Sequence, residues 1–259
     1  MSRGGSWNVA LALAWRQLTI LRKNPSLFLP PMLFPLINFT AFAGGLSRLR
    51  KVPGFSFHGG YTAFVFVFVL LQSAAFGGVF TGFGIARDFE RGFARRLLLA
   101  SKHRSGIVWG YALASLVRWS LVAATVTVVA LIVHMQIGGD GVDLFGLYAL
   151  ALIANASGLL WACGIAMRFK SVQAGPLMQT PIFIILFLAP VYVPLALLHG
   201  WIHAVARLNP VTYVLEAGRG FVSGDPVDAA FAFALMLAVA CLLAVWALTG
   251  LRSAEETAA

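Results

Sequence analysis

Long apolar runs separated by short polar segments dominate the pattern along this chain. Six runs have the length typical of transmembrane helices, and they cover roughly residues 26–46, 61–84, 106–134, 143–166, 175–196 and 228–250. A helix of about 20 apolar residues crosses the roughly 30 Å hydrocarbon layer of a bilayer. The pattern therefore predicts an all-α integral membrane protein, with six transmembrane helices in a single transmembrane domain over residues 1–259.

Composition points to the same class of protein. Of the 259 residues, 60% are hydrophobic and only 11% are charged, and the mean hydropathy is +0.86. A soluble domain of this size needs more polar side chains than this to cover its surface. The composition therefore excludes a water-soluble globular protein.

Positive charges fall mostly on one side of the predicted membrane. With six spans, 13 Lys and Arg residues lie on the side of the termini and 5 on the other, with Arg118 inside the third run. The 13 are Arg3, Arg16, Arg22, Lys23, Arg87, Arg91, Arg95, Arg96, Lys102, Arg104, Arg168, Lys170 and Arg252, and the 5 are Arg48, Arg50, Lys51, Arg207 and Arg219. Because Lys and Arg are retained in the cytoplasm, both termini are predicted to be cytoplasmic. The net charge of +10 then reflects topology, and nucleic acid is not an expected partner.

The segment before the first run, residues 7–24, predicts an amphipathic helix in the inner membrane interface. Its apolar stripe is Trp7, Leu11, Ala14, Leu18 and Leu21, and its polar side is Asn8, Arg16, Thr19 and Lys23. Tryptophan at headgroup depth and one apolar face suit a helix lying in the interface. Two interpretations stay open: a plain membrane anchor, or a lever that joins a cytoplasmic partner to the first span.

A charged cytoplasmic loop, residues 86–104, follows the second run. Six bases and two acids occur in it: Arg87, Asp88, Glu90, Arg91, Arg95, Arg96, Lys102 and Arg104. Phe93 and the leucines at 97–99 predict a short interfacial helix after a turn at Gly92. A loop that only retains positive charge or touches lipid headgroups needs neither acids nor an amphipathic helix. Docking to a protein surface is the favoured interpretation.

A second polar segment, residues 197–227, precedes the last run. Residues 199–208 predict one short helix, and Asn209 with Pro210 predicts the start of another, ending at Gly220. Within the second helix, Glu216 and Arg219 are three residues apart and can pair on its surface. Two short helices before the final span indicate an extracellular re-entrant hairpin, whose motif residues are Asn209, Pro210, Tyr213, Glu216 and Arg219.

Polar and small residues inside the runs suggest helix packing and a weakly defined transport path. Gly78 and Gly82 form a GxxxG pair that favours close helix contact. The long third run lets Arg118 snorkel to the inner headgroups, which is favoured over an intramembrane function. Cys163 and Cys241 are expected to be buried packing residues. The candidate path residues combine aromatic and uncharged polar groups: Gln72, Ser73, Phe76, Gln179, Phe183 and Tyr192.

Motifs for nucleotide binding and catalysis are missing from the sequence. It contains no G-x-x-x-x-G-K-[ST], no H-E-x-x-H and no G-x-S-x-G. His199 and His203 could share a helix face, but no nearby acid completes a metal site. We therefore expect no catalytic residue, no metal site and no bound cofactor in this chain.

Two segments resemble the permease subunits of type-2 ATP-binding-cassette (ABC) exporters, especially the daunorubicin-resistance-like branch. The first runs from Gln72 through Arg87-Asp88-Phe89-Glu90-Arg91-Gly92 to Arg96, and the second is Asn209-Pro210-Val211-Thr212-Tyr213 with Glu216 and Arg219. The resemblance covers nearly the whole chain. One departure is residues 188–201, which are more apolar here than is common in the family.

The resemblance implies a multi-pass subunit of the bacterial plasma membrane, paired with a second permease subunit and with two copies of a separate ATPase that binds ATP and Mg. It implies ATPase contacts at Arg87, Asp88, Glu90, Arg91, Arg95 and Arg96, and an extracellular exit at the 197–227 segment. The implied cargo is a hydrophobic or amphipathic small molecule, such as a drug or natural product, or a lipid or glycolipid. Two rival classes are an ATPase-independent channel or scaffold and an intramembrane enzyme.

Overall fold

A computed structural model describes residues 3–27, 29–46, 48, 55, 57, 59–100 and 105–256, and these residues form ten α-helices and no β-strand. The helices are α1 (Arg3–Lys23), α2 (Leu29–Gly45), α3 (Gly60–Glu90), α4 (Phe93–Ala100), α5 (Ser105–Ile132), α6 (Gly141–Phe169), α7 (Gly175–Phe187), α8 (Gly200–Leu208), α9 (Pro210–Ser223) and α10 (Ala229–Glu256). The predicted all-α class is confirmed for this part of the chain.

Four helices are long and apolar enough to cross a membrane, namely α3, α5, α6 and α10. They match four of the six predicted spans. The first and fifth predicted spans contain shorter helices, α2 with 17 residues and α7 with 13. At about 1.5 Å per residue these extend roughly 26 and 20 Å, less than the hydrocarbon layer. Both runs contain prolines: Pro35 lies inside α2, Pro181 lies inside α7, and Pro190 follows α7.

Helix α3 is the centre of the bundle and is buried along most of its length. It packs most closely against α6, where a side chain on Gly78 would overlap the backbone of Leu159, and one on Gly82 would overlap Ala162. Missing side chains at these positions let the two backbones approach, as the Gly78–Gly82 spacing predicted.

We expect Gly77→Ala to lower the free energy of unfolding by about 1 to 2 kcal/mol. Its Cβ would lie 2.9 Å from Asn155 Nδ2, the amide that donates to the Ala74 carbonyl. Gly84→Ala is the matched control on the same helix, because its nearest neighbour, Gln17 Oε1, would be 3.8 Å away. The control should keep its stability, measured by unfolding in mixed micelles. Equal losses in the two variants would contradict the packing account.

Helix α1 begins at Arg3, earlier than the predicted residue 7, and packs along α5. Its buried face is Ala10, Leu13 and Ala14, and a Cβ on Gly110 of α5 would lie 2.8 Å from Leu13 Cβ. Within the predicted apolar stripe, Trp7 and Leu11 are exposed whereas Ala14 is buried against protein. Apolar side chains of an interfacial helix can face lipid as well as protein, so apolarity alone does not select the buried side.

The two cysteines differ in their surroundings. Cys163 is buried in α6, with its thiol 3.8 Å from Met167 Sδ, whereas Cys241 is exposed on α10. The expectation of a buried Cys241 is wrong for this single chain. Most of the apolar surface of α10 is not covered by other helices, so membrane lipid or another subunit can contact it.

Candidate functional site

Asp88, near the end of α3, is the centre of a polar cluster that joins three helices. Arg16 of α1 donates two hydrogen bonds of 2.9 Å to its two carboxylate oxygens. Gln17 of α1 donates at 2.7 Å and Tyr111 of α5 at 2.8 Å, both to Oδ2. We call Arg16, Gln17, Asp88 and Tyr111 the Asp88 cluster. A bidentate Arg–carboxylate pair with two further donors fixes both the position and the orientation of α1.

The Asp88 cluster also reaches α4. The Arg16 guanidinium carbon lies 3.6 Å from the centre of the Phe93 ring, within the range of a cation–π contact. The hydrogen bond to Asp88 raises the pKa of Arg16 above its ordinary value, so Arg16 remains charged at physiological pH. Asp88 itself is only 4% exposed. The Asp88 carboxylate accepts hydrogen bonds from within the chain, whereas the family resemblance implied that it contacts the ATPase.

Other residues of the predicted coupling loop form an exposed basic surface. A turn at Gly92, with φ of 69°, is followed by α4, which buries Ala94 and Leu98 and exposes its arginines. Arg91, Arg95 and Arg96 are all exposed, and we call them the basic face. The predicted turn and short amphipathic helix are confirmed. Residues 101–104, which include Lys102 and Arg104, lie outside the described residues.

Glu90 connects this region to the segment that precedes α7. Its Oε1 accepts hydrogen bonds of 2.8 Å from the Ser171 hydroxyl and from the Val172 backbone N–H. The Glu90 side chain is exposed, while Arg87 one turn earlier is partly buried. The loop between α3 and α4 is therefore tied to α1 on one side and to the segment before α7 on the other.

On the opposite end of the bundle, α8 and α9 form a helical hairpin, which we call the outer hairpin. Asn209 caps α9 by accepting a bond from Val211 N at 3.0 Å, and Pro210 occupies the first helical position. The Asn209 amide also donates to the Ile185 carbonyl of α7. Tyr213 donates to the Arg207 carbonyl of α8 at 3.0 Å. The predicted pair of short helices and the predicted cap are confirmed.

Helix α9 continues to Ser223, so the predicted end at Gly220 is wrong. Gly224 takes the left-handed conformation that closes the helix, with φ of 80°. Gly220 serves packing instead, because a Cβ there would lie 2.8 Å from the Asp225 carbonyl oxygen. From the sequence alone, either Gly220 or Gly224 can end the helix. Only the tertiary contacts distinguish the two.

Arg219 joins the outer hairpin to two other parts of the chain. It pairs with Glu216 at 3.0 Å and donates to the Pro190 and Val191 carbonyls at 2.8 and 3.1 Å. Its guanidinium carbon lies 3.4 Å from the centre of the Phe64 ring of α3. The Glu216–Arg219 pair was predicted correctly, but its location at the helix surface was not, since Arg219 is only 2% exposed.

Three of the candidate path residues belong to an aromatic cluster between α2, α3 and α7. Phe76 and Phe183 have ring centroids 4.4 Å apart, and Tyr192 lies 4.4 Å from Phe42 of α2. The cluster continues through Phe68, which is 6.1 Å from Tyr192. These rings make a continuous apolar contact surface among the three helices.

The remaining candidates point to different surroundings. Gln72 is buried beside this cluster and accepts a bond from Asn38 of α2 at 2.9 Å. Ser73 faces α5, where it accepts a 3.3 Å bond from the Trp119 indole. Gln179 is partly exposed on α7. The structure therefore brings Gln72, Phe76, Phe183 and Tyr192 to one region and places Ser73 in another.

The interpretation of Arg118 as a snorkelling residue is wrong. Arg118 is only 8% exposed and donates to the Gly77 carbonyl and the Thr81 hydroxyl of α3. One turn earlier on α5, Ser115 donates to Asn155 Oδ1 of α6 at 3.1 Å. Two features of the sequence could have indicated the partners of Arg118. Gly77 has no side chain to cover its carbonyl, and Thr81 offers a hydroxyl four residues later.

No group of three or more His, Cys, Asp or Glu side chains that could hold a metal ion occurs in the described part of the chain.

The long apolar helices define a polytopic helical membrane protein. The family model of the ABC-2 type transporters matches residues 9–222, and this chain belongs to that family as a permease. It is similar to the daunorubicin resistance ABC transporter permease protein DrrB1 of Streptomyces coeruleorubidus. The two are 22% identical over 229 residues, which cover 86% of this chain and 78% of the relative. The class of protein expected from the sequence is confirmed.

Proposed function

We propose that this permease moves a hydrophobic or amphipathic small molecule, or a lipid or glycolipid, out of a bacterial cell. Energy comes from two copies of a separate ATPase that binds ATP and Mg, and a second permease subunit completes the path. The observation that carries this proposal is the exposed basic face, held in place by the Asp88 cluster. Family membership and the drug-resistance name of the relative support an exporter.

In this proposal α2 and α7 complete a six-span topology in the plasma membrane, with both termini in the cytoplasm. The prolines of α2 and α7 leave backbone groups without hydrogen bonds inside these helices. Neighbouring helices supply the hydrogen-bond partners that such groups need at membrane depth. In a background without cysteines, Arg207→Cys should react with an impermeant maleimide added to intact cells. Arg95→Cys should react only after the cells are permeabilised. Both side chains are exposed, so reversed labelling would contradict this topology.

The ATPase docks against the basic face and Glu90, while Asp88 and the partly buried Arg87 position this surface from inside. ATP-driven closure of the ATPase pair pulls on α4. Because the Asp88 cluster joins α4, α3, α1 and α5, these helices receive the same displacement. The ATPase must bind one bundle state better than the other for this coupling to work.

We expect Arg95→Glu combined with Arg96→Glu to weaken ATPase binding by roughly tenfold or more, because opposite charges across an interface become like charges. The measurement is co-purification of the permease with its ATPase at two salt concentrations. Arg252→Glu is the matched control, since Arg252 is an exposed arginine at the inner end of α10. Unchanged binding by the double variant, or equal weakening by the control, would remove the basic face from the proposed interface.

The outer hairpin forms part of the extracellular exit, and the aromatic cluster with Gln72 forms part of the cargo path. Aromatic walls with a few polar groups suit amphipathic ligands. Ser73 is the weakest of the path residues because its hydroxyl is engaged with Trp119 on the α5 side. Replacing Phe76 or Phe183 should therefore alter cargo selectivity more than replacing Ser73.

A further inference from the structure

A mostly apolar cavity of about 210 Å³, with several polar groups in its walls, lies between α1, α2, α3 and α5. This is far larger than the roughly 10 to 15 Å³ that a cavity needs to hold one water. Its polar lining residues are Gln17, Ser26, Thr81, Arg87 and Arg118, and its other lining residues are Ile20, Leu21, Pro30, Pro31, Phe80, Phe83, Gly84 and Ala114. Two cations and no carboxylate therefore line this cavity, which we call the Arg118 cavity.

Arg118 has unused hydrogen-bonding capacity. Nη2 donates to Gly77 and Thr81, whereas Nη1 and the fully buried Nε make no hydrogen bond in the described structure, and Nη1 is the nitrogen left accessible to the cavity. Neither described ion pair includes Arg118. A buried guanidinium without an acid is costly, and an anion with several oxygen acceptors offsets that cost.

The position and walls of the cavity indicate an anion that also carries an apolar part. Thr81 is nine residues before the last residue of α3, so it lies roughly 13 Å from the end that carries the basic face. A 31-residue helix is about 46 Å long, so with a roughly 30 Å hydrocarbon layer centred on α3 the boundary between headgroups and hydrocarbon would lie roughly 8 Å from this end, close to Thr81. Prolines 30 and 31 and Phe83 supply apolar walls, and the exposed Ser26 and Pro30 form an open rim between α1 and α2.

We propose that the Arg118 cavity binds the phosphate headgroup of an anionic phospholipid from the inner leaflet. Arg118 and Arg87 donate to the phosphate oxygens, and the apolar walls contact the start of the acyl chains. The site lies apart from the exposed arginines of the basic face, so lipid binding is measurable on the permease without the ATPase or the exported cargo. A free phosphate ion would satisfy the same two arginines but would gain nothing from the apolar walls.

The test uses native mass spectrometry of the detergent-purified full chain, titrated with phosphatidylglycerol or with phosphatidylcholine of the same acyl chains. We expect one retained phosphatidylglycerol, with half-saturation at roughly tenfold lower concentration than phosphatidylcholine. Arg118→Gln and Arg87→Gln should each reduce this preference. Arg22→Gln, which removes an exposed arginine of α1, is the matched control and should keep it.

Gly84→Leu tests the cavity with both arginines present. A Cβ at Gly84 would have only Gln17 Oε1 within 4 Å, at 3.8 Å, and Gly84 lines the cavity, so a leucine there is expected to extend into the cavity. This variant should fold normally and lose the retained lipid, even if Arg118→Gln fails to fold. Equal retention of the two lipids, or unchanged preference in Gly84→Leu, would overturn the proposal. Displacement of phosphatidylglycerol by millimolar inorganic phosphate would overturn the assignment to a lipid and leave a free-anion site.

Discussion

Asp88→Asn should destabilise the contact between α1 and α3 and disconnect the basic face from the bundle. The substitution leaves Arg16 partly buried without a counter-charge and removes an acceptor from Gln17 and Tyr111. We expect a loss of about 2 to 3 kcal/mol in the free energy of unfolding, below the value for a fully buried pair because the Arg16 side chain is 31% exposed. Export should fall more steeply than stability, because α1 no longer follows α4.

A double-mutant cycle separates this pair from general damage. Arg16→Gln, Asp88→Asn and the double variant are compared by unfolding in mixed micelles and by ATPase-driven export. The double variant should lose less than the sum of the two single losses, because each single variant leaves one unpaired charge and the double variant leaves none. Asp225→Asn, at an exposed position of the loop before α10, is the control and should lose less than about 0.5 kcal/mol. Strict additivity in the cycle would show that the two groups do not act together.

Arg219→Ala should be the most destabilising substitution in the outer hairpin. It removes the donor to the Pro190 and Val191 carbonyls and the cation above the Phe64 ring. Buried groups left without partners cost about 1 to 3 kcal/mol each, so we expect a total loss of about 3 kcal/mol or more. The segment after α7 then loses its attachment to α9, and export should be abolished.

Glu216→Ala is the matched comparison, since it removes the other member of the same ion pair. The Glu216 side chain is 47% exposed, so its loss should cost less than about 1 kcal/mol. We expect reduced export with ATPase binding intact. Arg219→Lys should give an intermediate stability, because a lysine keeps the charge but cannot reproduce the fork of donors. Similar losses for Arg219→Ala and Glu216→Ala would show that the carbonyl contacts of Arg219 contribute little.

Elements controlled by local chemistry could be predicted from the sequence. The Asn209-Pro210 start of α9 and the turn at Gly92 depend on capping and on backbone conformation, which neighbouring residues determine. Helices α3, α5, α6 and α10 followed from apolar length alone. The runs containing α2 and α7 were just as apolar, but the helices in them are shorter than the runs.

Partners of charged residues could not be predicted in the same way. Asp88, Arg118 and Arg219 look like surface or partner-binding groups in a sequence, yet each is buried and bonded within the chain. Their partners are distant in sequence: Arg16 is 72 residues from Asp88, and Arg118 is 41 residues from Gly77. Which helix faces meet depends on packing of the whole bundle, and hydropathy does not distinguish a face that contacts lipid from one that contacts protein.

Reconstituted vesicles test most directly whether transport depends on a separate ATPase. Movement of an amphipathic dye is measured with the permease alone, with permease and ATPase, and with both proteins plus ATP and Mg. The account predicts directional transport only in the third case, and its loss when Arg95 and Arg96 are both replaced by glutamate. Transport by the permease alone, without ATPase or nucleotide, would contradict it.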